Sequence, residues 1–275
     1  MNRVTETAHA KINLALHVRA RRPDGYHEIE TLFAFTDGGD GVVVEAAGTL
    51  SLDITGPFAE GLPADEGNLV MQAARTMQRH FGIAAGACIR LEKRLPVAAG
   101  LGGGSADAAA VARALNRLWV LDADDAALIA AIGRLGADVP ACVSSRTTFG
   151  RGIGEQLEPA AVPGLPGTSV LLVNPMKPCL TGPVYRAWDG ADRGSLAVHR
   201  SAWRNDLTPG AVALVPEIGL VLYVLAEMEG TTQVAMSGSG ATCFALFTDD
   251  HARDAARDEI GDMYPGWWSM AGRLR

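Results

Sequence analysis

Pro96-Val97-Ala98-Ala99-Gly100-Leu101-Gly102-Gly103-Gly104-Ser105-Ala106 packs four glycines into five positions and runs straight into an alanine-rich stretch with helical spacing. These residue types suit an anion. Glycines allow left-handed φ values that turn successive backbone N–H groups toward one concavity, and the helix that follows adds unpaired amides and the positive end of its dipole. Phosphate is the guest this pattern predicts, with Ser105 as a capping-type serine at the helix start. Two other phosphate loops are excluded by inspection. No Gly-Lys-Ser/Thr closes the run, and in the two registers of G-x-G-x-x-G the third small residue is replaced by Ser105 or Asp107.

Arginine carries nearly all the positive charge, and Lys11, Lys93 and Lys177 are the only lysines. A compact ammonium and a planar guanidinium are not interchangeable at a tight site, so Lys11 and Lys93 invite a chemical reason, while Lys177 reads as a surface residue. Lys11 and Asn13 alternate with Ile12, Leu14, Leu16 and Val18, which predicts a strand over residues 10–18 with both polar groups on one face. Asp138, in Gly136-Ala137-Asp138-Val139-Pro140, reads from the residues alone as readily as a helix cap as it does as a proton acceptor. The Tyr26-His27 pair after Asp24-Gly25 stays equally open between packing and recognition.

The elements that must position these groups follow from periodicity. Strands are predicted over residues 27–35, 42–45 and 50–54 in a meander, with Asp37-Gly38-Gly39-Asp40 as a turn. A helix starts at Asn68 and stops at Gly82, and residues 89–94 form the strand that delivers the chain to the glycine loop. The next helix buries Ala108, Val111, Ala112, Leu115 and Trp119, and another spans residues 124–135. Gly150, Gly152 and Gly154 loosen the chain, which places a boundary between an N-terminal lobe, 1–155, and a C-terminal lobe, 156–275. The second half reads as a strand at 169–174, a short helix at 180–188, a turn at 205–207, a helical region to Met228, a strand-turn-strand around Ser237-Gly238-Ser239-Gly240, and a last helix. Interspersed strands and helices without strict βα alternation define an α+β class.

Composition narrows the function. With 275 residues, 48% of them apolar, the chain can build a substantial core. A net charge of −7 argues against nucleic acid as a partner, so phosphate recognition is expected to be local. Four scattered cysteines form no CxxC pair and read as buried thiols in a reducing cytoplasm. No apolar stretch reaches the roughly 18 residues of a membrane span, so no membrane association is expected.

Taken together, Ala10-Lys11-Ile12-Asn13-Leu14, the loop at 96–109 and Met236-Ser237-Gly238-Ser239-Gly240-Ala241 resemble the three motifs of the GHMP kinases (galactokinase, homoserine, mevalonate and phosphomevalonate kinases). Asp24-Gly25-Tyr26-His27, Lys93-Arg94-Leu95-Pro96 and Leu135-Gly136-Ala137-Asp138-Val139-Pro140 are similar to the branch that acts on a cytidine-diphosphate-linked methylerythritol. The resemblance covers almost the whole chain. It implies a two-lobed α+β fold with the active site in the cleft between lobes, and transfer of the ATP γ-phosphoryl group to a tertiary hydroxyl of a small cytidylyl substrate in non-mevalonate isoprenoid synthesis. Carried over, Asp138 is the base and Lys11 its partner, and Asn13 fixes Lys11 or the hydroxyl. Residues 96–106 hold the phosphates, and Asn68 and Lys93 lie near the nucleotide. Tyr26 and Tyr185 enclose the cytosine, and His27 bonds its edge. Mg²⁺ is implied by the reaction, with no acidic residue standing out as its ligand. Ala98-Ala99 and Ala106 depart from the family's usual Gly-Gly and Ser but stay small. Another GHMP acceptor, or a non-catalytic nucleotide-binding protein on this fold, remains the alternative.

Overall fold

The computed structural model describes residues 2–197 and 199–275. The chain forms two compact units: Met1–Ala10, Gly39–Val97 and Gly102–Ser145 make the first, and Lys11–Gly38, Ala98–Leu101 and Arg146–Arg275 the second. This interleaving differs from a single cut near residue 155. Two long strands, β1 (Arg3–Arg21) and β2 (His27–Ala47), pair with each other and run through both units. The glycines at 150–154, expected to mark the boundary, instead serve a hairpin of β5 (Thr148–Arg151) and β6 (Gln156–Pro159) inside the second unit.

In the first unit, β3 (Ser51–Thr55) pairs in parallel with β4 (Gly86–Glu92), which pairs antiparallel with the 41–47 half of β2. The parallel register replaces the expected meander. Asp37 to Asp40 is not a turn either, because β2 continues through it. Gly39 is needed for closeness, not for turning: a Cβ there would lie 2.0 Å from the Ala8 carbonyl oxygen. Helices α1 (Leu69–Phe81), α2 (Gly103–Leu118), α3 (Asp125–Ile132) and α4 (Val139–Ser144) complete this unit. Helix α1 begins where Asn68 accepts from the Val70 amide and ends at left-handed Gly82, as its sequence requires. Its buried face, Val70, Ala73, Ala74 and Met77, packs on α2, where Ala108, Val111, Ala112 and Leu115 are fully buried.

In the second unit, residues 31–33 of β2 pair with β5. A separate sheet has the order β10 (Trp268–Arg273), β7 (Ser169–Asn174), β9 (Cys243–Phe247), β8 (Thr231–Met236), all antiparallel. Helices α5 (Thr181–Arg186), α6 (Thr208–Leu214), α7 (Glu217–Glu227) and α8 (Asp250–Met263) accompany it. The core joins Leu16, Val18 and Ile29 to Val184, Trp188, Ile218, Val221 and Ile260. No helix among the described residues is long and apolar enough to cross a membrane.

Candidate active site

Residues 10–18 of β1 are buried on both faces, so the predicted polar face is not solvated. Buried polar groups must then be hydrogen-bonded, and these are. The Lys11 ammonium donates to Asn13 Oδ1 at 3.0 Å, Asn13 Nδ2 donates to Thr31 Oγ1 at 2.7 Å, and the Thr31 hydroxyl donates to the Ala15 carbonyl at 2.7 Å. The Lys11 ammonium also stands 5.3 Å from the Phe33 ring centre. A chain of this kind fixes the amide orientation of Asn13, and with it the acceptor that Asn13 Oδ1 offers to the Lys11 ammonium.

The glycine loop is held from behind by the third motif. Ser237 Oγ donates to the Gly100 carbonyl at 2.8 Å and accepts the Asn13 amide at 3.2 Å. The Lys11 amide donates to the Leu101 carbonyl at 3.0 Å, and the Thr242 amide to that of Ala99 at 3.2 Å. Asn205, missed in the sequence as part of a plain turn, donates at 2.8 Å to both Met236 and Gly238 carbonyls and so holds the 236–240 turn in place.

Gly100 and Gly102 adopt φ values of 78° and 63°, and Ala98 one of 53°. Gly103 and Gly104 open α2, and Gly102 is its N-terminal cap residue, so Ser105 is not the cap. Helix geometry leaves the amides of Gly103, Gly104 and Ser105 without a carbonyl one turn earlier, while the Ala106 amide already bonds Gly102 at 2.8 Å. Left-handed backbone thus runs directly into a helix start, which is the geometry an anion cradle requires. A Cβ on Gly100 would lie 2.4 Å from the Ser237 carbonyl oxygen. Gly100→Ala is therefore expected to raise the KM for ATP by about tenfold or more, through both the clash and the φ, whereas Val97→Ala, at an exposed side chain, leaves it within about twofold. Equal KM values for the two variants in a coupled ADP-release assay would contradict the cradle.

Lys93 is not a free cation near phosphate. Its ammonium is buried between Asp40 Oδ2 at 2.5 Å and Asp107 Oδ2 at 2.7 Å. Asp40 also accepts the amides of Arg94 and Leu95, at 2.5 and 2.8 Å, which ties the strand to the chain entering the loop. Burial works against the Lys93 charge, but the two carboxylates outweigh it and raise its pKa. Burial pushes the Asp107 carboxyl up to about 8, with Lys93 opposing and Asp40 adding to the rise, and its Oδ1 has no partner. Asp107 therefore favours the folded state most in its protonated form: that stability is complete below the ordinary value of 3.8 and is lost as pH rises toward about 8. Asp107→Asn is expected to flatten the fall in Tm across that window; an unchanged pH slope in thermal melts would remove Asp107 as its source. Sequence reading named Lys93 but missed Asp40 and Asp107, because their pairing joins residues 53 and 14 positions away.

Asn68 spends both polar atoms locally, Oδ1 on Val70 N and Nδ2 on the Pro63 carbonyl, each at 2.9 Å, so its side chain is accounted for as a cap. Asp138 occupies the cap position of α4 and makes no capping hydrogen bond with its side chain. Near Asp138 in sequence, a Cβ on Gly136 would stand 3.5 Å from Ser105 Oγ, which brings this turn to the first turn of α2.

In the second unit, His27 packs its ring on Tyr185, with centroids 5.0 Å apart and planes at 45°, and on Trp188 at 5.7 Å, edge-on. Its Nε2 is buried without a partner. Tyr26, expected to share the enclosure, is 59% exposed, on a turn fixed by Asp24 accepting the Tyr26 amide at 3.1 Å. Three buried groups thus stand out: the hydrogen-bonded chain at Lys11, the ion pairs at Lys93 and the aromatic group at His27.

A glycine cradle at a helix start, a buried lysine on a neighbouring strand and a Ser-Gly-Ser-Gly turn behind the loop define a small-molecule kinase class. The chain matches the family models described as GHMP kinases N terminal domain, over residues 68–146, and GHMP kinases C terminal, over residues 195–266. It belongs to the GHMP kinases, which take ATP as co-substrate. More particularly, it is 52% identical to the 4-diphosphocytidyl-2-C-methyl-D-erythritol kinase of Rhizorhabdus wittichii, covering 98% of this chain and 94% of that one. The protein of the same description in Novosphingobium aromaticivorans is 54% identical, over 98% and 92% of the two chains. A crystal structure of 4-(cytidine 5'-diphospho)-2C-methyl-D-erythritol kinase superposes with a TM-score of 0.83 at 36% identity, covering 98% of this chain and 99% of that one.

Proposed function

We propose that this chain phosphorylates the 2-hydroxyl of 4-diphosphocytidyl-2-C-methyl-D-erythritol with ATP, in the making of isoprenoid precursors, a reading supported by relatives named as kinases of that compound. The observation that carries the reading is the His27 group: a buried ring nitrogen without a partner, seated on Tyr185, suits the hydrogen-bonding edge of a pyrimidine. Homoserine and mevalonate have no base to place there. The proton of the acceptor hydroxyl passes to the Asp138 carboxylate as the oxygen bonds to the γ-phosphorus, and the bond to the bridging oxygen breaks to release ADP. Lys11, oriented by Asn13, holds the hydroxyl and offsets charge on the transferring group. The amides of 103–105 and the backbone of 96–102 hold the nucleotide phosphates.

Among the described residues no three His, Cys, Asp or Glu side chains converge as a metal cage. That donor set suits Mg²⁺ held chiefly by ATP phosphates and water, with the Ser105 hydroxyl as the protein's contribution, and the ion would supply charge neutralisation at the phosphates. Four free thiols and a net charge of −7 suit a reducing cytoplasm and small-molecule partners, not nucleic acid. A coupled ADP-release assay with the cytidylyl alcohol, homoserine and mevalonate tests the proposal: turnover is expected with the first alone, and ATP turnover indifferent to it would refute the acceptor.

A further inference from the structure

Arg21, the last residue of β1, does something that no motif marks. Its Nη2 donates to the Trp188 carbonyl at 2.7 Å and to that of Arg186, the last residue of α5, at 3.4 Å. These carbonyls lie at the helix end, where backbone acceptors lack an intrahelical donor and a cation is favoured. The same guanidinium stands 5.8 Å from the Trp188 ring centre. Trp188 is buried, and its ring meets His27 edge-on while Tyr185 meets it from α5. One side chain therefore fastens the element that carries both aromatic neighbours of His27.

We propose that Arg21 is a positioning residue for recognition of the pyrimidine: it ties the end of α5 to the end of β1, so that Tyr185 and Trp188 seat the His27 ring with Nε2 presented as a hydrogen-bond acceptor. The inference rests on the reading that the acceptor carries a cytosine, whose exocyclic amine needs such a partner. Neutral imidazole has one acceptor nitrogen and imidazolium none, so seating the ring is useful only if it stays neutral. Burial lowers the His27 pKa, and the Arg21 charge lowers it further. The other charges near this turn are paired elsewhere. Arg22 binds Asp24 at 2.9 Å and Glu28 at 3.4 Å, and Arg19 binds Glu30 at 3.2 Å and Asp192 at 2.9 Å. On the β5–β6 hairpin, whose Gly152 carbonyl accepts the Ile29 amide, Arg151 binds Glu158 at 2.9 Å. On α5 itself the charged residue is Arg186, of the same sign as Arg21.

Two variants of the full chain separate the two actions. Arg21→Gln removes the charge, and Arg21→Lys keeps it but replaces the planar fork that spans two carbonyls. The readouts are the His27 ring C–H titration by NMR without ligand, and KM and kcat for both substrates. For Arg21→Gln the His27 midpoint is expected to rise toward the ordinary imidazole value, and the KM of the cytidylyl alcohol by about tenfold, with kcat and the KM for ATP within about twofold. Because neutral His27 is the binding form, the acid limb of the acceptor's 1/KM profile moves to higher pH with the midpoint. Arg21→Lys is expected to hold the midpoint while its acceptor KM still rises, which also keeps the proposal testable should the Gln variant be unstable. An unmoved midpoint in Arg21→Gln, equal rises in both KM values, or a wild-type acceptor KM in Arg21→Lys would overturn the role of Arg21. A parent protein that fails to turn over the cytidylyl alcohol overturns the acceptor, and with it the pyrimidine role, while the NMR midpoint still reports whether Arg21 acts on His27.

Discussion

Asp138→Asn is expected to lower kcat by on the order of 10²-fold or more while leaving Tm and both KM values close to those of the parent. The substitution keeps the shape of the side chain and removes its basicity, so only a step that needs a proton acceptor is affected. Asp138 stands at the cap position of α4 and makes no capping bond with its side chain. Loss of a true cap costs about 1 kcal/mol and would appear as a lower Tm with kcat largely retained. Stopped-flow or steady-state turnover, read beside thermal melts, distinguishes the two, and a parent-like kcat would dismiss Asp138 as the base.

Lys11→Met is expected to reduce kcat by a comparable factor, and Lys11→Arg is expected not to restore it. The ammonium is buried, 3.0 Å from an Asn13 oxygen whose amide is itself fixed on Thr31. A guanidinium is larger and spreads its donors over a rigid plane, so it cannot take the same place without moving that chain. Lys11→Met also leaves Asn13 Oδ1 without its donor, at a stability cost of about 1–3 kcal/mol, so kcat must be measured well below the variant's Tm. Full activity in Lys11→Arg would show that any cation serves there, and that Asn13 orients nothing.

Local chemistry was readable wherever it is settled by neighbours in the chain. The glycine run predicted backbone amides for an anion because left-handed φ and a helix start are properties of a few successive residues, and Gly100, Gly102 and α2 realise them. Alternation in residues 10–18 put Lys11 and Asn13 on one face, and the hydrogen bond between them follows from a period of two. The same local logic failed where a glycine answers to a distant strand. Gly38-Gly39 looks like a turn, yet Gly39 is small because Ala8 lies against it, and β2 passes straight through.

What only the tertiary structure decided is the company each polar group keeps. Lys93 became a buried partner of Asp40 and Asp107, and Ser237 and Asn205 became supports of the glycine loop and the turn behind it. Arg21 became the tie between β1 and the end of α5. Such pairings join residues tens to hundreds of positions apart, and their energies come from burial, which strips water from a polar group and leaves it to find a partner wherever the fold brings one. A sequence shows the residue types that such sites need, but burial and its partners exist only once the strands have been paired.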